Sequence, residues 1–79
     1  MSSDAGRSHD IMELHRQMER EPRAEVRANL ARTIQLIKGE SGDVRSMRES
    51  LIRAHRNEDH EEIRDIHDYI SNKQKYRNE

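Results

Sequence analysis

The sequence predicts an all-α protein, a helical hairpin or bundle of three to four short amphipathic helices. Three observations carry this reading. Apolar residues recur at three- and four-residue spacing, as in Val26, Leu30, Ile34 and Ile37. Turn and cap signals punctuate those stripes at Pro22, at Glu40–Asp43 (Glu-Ser-Gly-Asp) and at Asp59. β-branched residues nowhere alternate with polar ones over a strand's length, so no strand is expected.

Each element follows from local chemistry. Residues 1–8 are polar and aperiodic and read as a disordered tail. Asp10 followed by Glu13 forms a capping box, a short acceptor with a carboxylate three residues on. It predicts a first helix over about 10–20, with Ile11, Leu14, His15 and Met18 on one stripe. Pro22 lacks an N–H and suits a first turn, so a second helix is expected over 22–38. Ala24, Ala28 and Ala31 favour it, and Lys38 with Gly39 closes it. The Glu40–Asp43 turn makes an antiparallel hairpin with a third helix over 43–56, capped by Ser41 or Asp43. That helix carries Val44, Met47, Leu51 and His55.

Asp59 with Glu62 is a second capping box and predicts a fourth helix over 59–72. The apolar phase nearly carries through from Ile52 by way of His55 and Asp59 to Ile63, Ile66 and Ile70. One continuous helix from 43 to about 72 is therefore the alternative. Residues 73–79 read as a frayed tail with Tyr76 its one candidate anchor, leaving a single helical domain over 9–72.

Composition sets what such a domain can do. The chain has 79 residues, of which 39% are charged and 30% hydrophobic. Burying its large apolar side chains yields roughly 1.5–3 kcal/mol each. Ordering the chain costs about 1.5 kcal/mol per residue. So thin a core predicts completion by self-association, as a dimer, or by docking on another protein. The expected docking face is Val26, Leu30, Ile34, Ile37, Val44, Met47, Leu51, Ile63, Ile66 and Ile70, used as helix-in-groove anchors. A small cytoplasmic, non-catalytic interaction protein is the leading expectation: a regulatory adaptor, an inhibitor or a chaperone-like subunit.

Other classes find less support. No apolar run is long enough to cross a membrane, and the first ten residues lack the apolar core of a signal peptide. The chain has no Cys, so it has no disulfide framework and no thiol nucleophile. It shows no Gly-rich phosphate loop and no nucleophile elbow, so neither an enzyme nor a cofactor is expected.

Nucleic-acid regulation is the second reading. Arg16, Arg20, Arg23 and Arg27 would align if the helix ran through Pro22, although Glu19, Glu21 and Glu25 dilute the patch. The net charge of -1 supplies no general attraction to phosphate. A basic segment from Arg16 to Lys38 is balanced by an acidic one from Glu58 to Asp68. The two could complement each other within one chain or between chains.

A histidine-based metal site or pH switch is the third reading. His15, His55 and His67 lie on or beside apolar stripes. No His-x₃-His pair supports metal binding locally. For a pH switch, His9–Glu13, His15–Glu19 and His55–Asp59 are i,i+4 pairs that would strengthen on protonation. A histidine protonated in an apolar seam would act with the opposite sign. Residues 11–18 and 63–70 also echo each other, as apolar-x-acid-apolar-His-x-x-apolar.

Overall fold

Helix follows helix along the chain of the computed structural model, which describes residues 2–39 and 42–77, with side chains for 6–39 and 42–73. The elements are α1 (Ser2–Arg20), α2 (Ala24–Gly39), α3 (Gly42–Arg56) and α4 (His60–Arg77). No strand occurs among the described residues. The expected all-α bundle is what the chain forms.

The breaks between helices have identifiable causes. At the first, the Glu21 carboxylate accepts the Arg23 backbone N–H at 3.2 Å and the Arg23 Nε–H at 2.8 Å. The Arg23 carbonyl accepts the first bond of α2, from the Arg27 N–H at 3.0 Å. Arg23 is therefore the N-cap, and Pro22 lies just ahead of the helix instead of opening it at 22.

The second break settles the continuity of α3 and α4. The Asp59 N–H bonds the Ala54 carbonyl at 2.9 Å and the Glu58 N–H bonds the His55 carbonyl at 3.2 Å. This pair of bonds is a Schellman motif. Its left-handed position is held by Glu58, at φ 55°. Asp59 then caps α4, its Oδ1 accepting the Glu62 N–H at 3.2 Å. The Asp59 half of the expected capping box is formed, and this cap prevails over the apolar phase that nearly bridges it, while the Asp59 N–H goes to Ala54 instead of to Glu62. The turn joining α2 to α3, at Glu40 and Ser41, lies outside the described residues. So does the expected cap at Ser41.

Both helical ends extend beyond the expected bounds. α1 begins at Ser2, not near Asp10, so residues 2–8 are helical where a tail was expected. The Asp10 carboxylate does not cap; it reaches Arg48 of α3 at 3.3 Å. A Cβ at Gly6 would lie 3.7 Å from the same Arg48 guanidinium, so the early turns of α1 rest over α3. α4 runs to Arg77, past the expected end at 72, and the Tyr76 side chain lies outside those described.

Packing pairs α1 with α2 and α3 with α4, with α2 also against α3; the backbones of α1 and α4 do not meet. The core joins Leu14 of α1 to Val26, Leu30, Ile34 and Ile37 of α2. Val44, Leu51 and Ile52 of α3 and Ile66 and Ile70 of α4 complete it. Ile63 and Ala54 are buried as well. Nine of the ten residues expected to form a docking face are buried inside the chain, and Met47 is half-buried. That face is interior because the stripes of the four helices cover one another. Among the described residues only Met12 and Tyr69 are large hydrophobics left exposed, at 56% and 46%.

Polar contacts tie the layers at the rim. Arg56 of α3 grips Glu13 of α1 through two bonds, of 2.6 and 2.8 Å. Gln17 donates to the His55 carbonyl at 2.9 Å. Arg32 of α2 donates to the Ser71 hydroxyl of α4 at 2.5 Å.

Candidate functional site, a buried threonine–histidine junction

The least ordinary feature of the core is polar. Thr33, His55 and His67 are 0%, 1% and 2% exposed, one each from α2, α3 and α4. The Thr33 Oγ1 lies 2.7 Å from His55 Nε2 and 2.8 Å from His67 Nε2. It also lies 3.1 Å from the Asn29 carbonyl, one turn back on its own helix.

Proton counting fixes the arrangement. A hydroxyl offers one proton and two lone pairs, so three neighbours saturate it. If the proton goes to the Asn29 carbonyl, each imidazole donates its Nε2–H to the oxygen, and all three contacts are hydrogen bonds. If the proton goes to one imidazole, the Asn29 contact is left with none. The first arrangement makes one more bond and requires a proton on Nε2 of both histidines. An added proton must then go to Nδ1, which leaves the bonds to Thr33 formed but places a charge in the core.

That charge is opposed. Burial, with the neighbouring charges of His67 and His60 added, pushes His55 from 6.5 down to about 4. Burial and the Arg32 guanidinium push His67 down to about 4, against a smaller upward pull from Asp68. Both imidazoles are therefore neutral at pH 7.

The other expected site residues are placed as follows. His15 is exposed on α1, so the triad His15, His55 and His67 is not assembled. The helical phase puts Leu14 and Gln17 toward the core and turns His15 outward. His55 faces Thr33 rather than Asp59, so the expected i,i+4 pair is not made, and Asp59 caps α4 instead. One other cluster, His9, Asp10 and Glu13, holds its ligand atoms within 4.8 Å of one another. Its two carboxylates already meet Arg48 and Arg56.

The four arginines do not form one patch. The break at residues 21–23 separates Arg16 and Arg20 from Arg23 and Arg27. Arg23 is held by Glu21 and by Glu58 at 3.5 Å, and Arg27 donates to the carbonyls of Glu21 and Pro22. Arg16 and Arg20 line one open groove, with His9, Met12 and Glu13, and Arg23 lines a separate one with Val26, Asn29 and His60.

Sequence reasoning found His55 and His67 but missed Thr33. The signal was present. Thr33 falls three residues after Leu30 and four before Ile37, a β-branched hydroxyl on an otherwise aliphatic stripe. No protein-family model, curated protein or solved structure matches this chain. What fold and site define together is a class: an all-α bundle with a neutral Thr–His–His junction at its centre.

Proposed function

We propose that this chain is a non-catalytic protein-interaction module whose apolar face is sheathed by its own helices near neutral pH and released as the pH falls. The observation that carries the reading is the Thr33 hydroxyl shared by two buried imidazoles from α3 and α4. Three helices converge there, so a charge at that point weakens their packing together. The face released contains Leu30, Ile34, Leu51 and Ile70, now buried. Its partner is an amphipathic helix of another protein, docking by i, i+3, i+4, i+7 anchors.

The linkage has a definite sign. Each imidazole binds a proton more readily when the bundle is open than when it is closed. The stabilisation is full above the ordinary value of 6.5 and is lost as the pH falls toward about 4. One pH unit below 6.5, each histidine favours opening by roughly 1 kcal/mol. Two of them remove a substantial part of a small domain's stability, which is typically about 5 kcal/mol at the low end.

No helix of the described residues is long and apolar enough to cross a membrane. A cytoplasmic or otherwise acidifiable aqueous compartment belongs to the same proposal.

The test is binding of a fluorescent amphipathic helical peptide at about pH 7.5 and about pH 5.5. Tighter binding at the lower pH is expected. The pair His55→Gln and His67→Gln keeps N–H donors toward Thr33 and removes the titration, so it should abolish the difference. Equal binding at both values, or an unchanged difference in the pair, overturns the proposal.

A further inference from the structure

The two exposed large hydrophobics of the described residues lie on helices whose described backbones do not meet. Met12 is on α1 and Tyr69 on α4. In one direction each continues along its helix into exposed residues of one sign at four-residue steps; in the other, α4 carries Lys73, whose ammonium lies 5.6 Å from the Tyr69 ring centroid. On α1 the ridge is Met12, Arg16, Arg20; on α4 it is Glu61, Asp65, Tyr69. Residues four apart form one ridge on a helix surface.

Among the described residues these charges have no oppositely charged partner. The one bond from the Arg20 side chain there runs to the Arg16 backbone carbonyl at 3.4 Å. No ion pair among the described residues involves Arg16, Glu61 or Asp65.

The two ridges also match in order. Set antiparallel with Met12 against Tyr69, they bring Arg16 opposite Asp65 and Arg20 opposite Glu61. One apolar contact and two opposite-charge pairs fall in a single register. Glu13, beside the ridge, is already neutralised by Arg56 at 2.6 Å, so it adds little repulsion. Since the described backbones of α1 and α4 do not meet and both ridges face outward, the register joins ridges of two chains.

We infer that the occupant of the α1 ridge is the α4 ridge of a second copy of this chain. The contact is heterologous, because two different surfaces meet. Each molecule keeps one ridge free after pairing, so association is head-to-tail and continues beyond a dimer unless the rotation closes a ring. Two exposed charge pairs and one apolar contact make a weak interaction that depends strongly on salt. It operates on the closed bundle and does not require the acid-released face.

Light scattering and sedimentation of the full chain across a concentration series decide the matter. At about 20 mM salt the weight-average mass should rise with concentration past twice the monomer's, and at about 500 mM it should return to the monomer's. Arg16→Glu with Arg20→Glu should be monomeric, as should Glu61→Arg with Asp65→Arg. All four positions are exposed, and circular dichroism checks that both variants keep the fold. Mixed in equal amounts, the two variants should associate again, because reversed α1 meets reversed α4 and each native ridge meets the other. A monomer under every condition, association that survives the reversals, or a mixture that stays monomeric would each overturn the inference.

Discussion

Thr33 carries more of the core's specificity than its size suggests. Replacing its hydroxyl by a methyl, Thr33→Val, keeps the shape but leaves two imidazole N–H groups without an acceptor. Leaving a buried donor unsatisfied costs about 1–3 kcal/mol, and chemical denaturation should show a loss of that order. Thr33→Ser retains the acceptor and should cost less. If valine proved neutral, the imidazoles would have found other partners and the proton count above would be wrong. Glu58 is the second notable residue, a non-glycine at φ 55°. Its left-handed conformation costs about 1–2 kcal/mol. Glu58→Gly should therefore raise the melting temperature, offset in part by glycine's greater freedom in the unfolded chain and by the loss of a 3.5 Å contact with exposed Arg23.

At the scale of elements, the caps decide where helices begin and end. Asp59→Ala removes the side-chain acceptor for the Glu62 N–H and should destabilise the α3–α4 junction by about 1 kcal/mol. Faster amide exchange over the first turn of α4 would report it. The contrast with Asp10 is instructive. Both aspartates precede a glutamate by three residues, yet only Asp59 caps. Asp59 follows a Schellman stop that ends the preceding helix, whereas Asp10 sits within α1 and turns toward Arg48. A capping box is a local signal, and its use depends on whether the chain before it is already helical.

The bundle as a whole should be least tolerant where its helices converge. Leu30 and Leu51 are both 0% exposed. An aspartate at either position would unfold the chain itself. Even Leu30→Ala should cost about 2–5 kcal/mol. The proposed acid sensitivity belongs to the same scale. The melting temperature should fall between about pH 7.5 and about pH 5.5. That slope should flatten when His55 and His67 are both glutamine. Equal slopes in the two proteins would place the acid sensitivity elsewhere.

The sequence by itself determined the helical class, the apolar stripes and the cap at Asp59. Those depend on residues within a turn or two of each other, where backbone geometry and hydrogen-bonding reach are fixed. It placed His55 and His67 near a seam for the same reason. Only the tertiary structure decided that the seam closes on itself, because that depends on how residues more than twenty positions apart come to pack. It also decided that Thr33 stands between the two histidines and that His15 stands apart. A stripe tells which side of a helix avoids water. It does not tell which helix will cover it, and that choice put an expected docking face inside a core with Thr33, His55 and His67 joined at its centre.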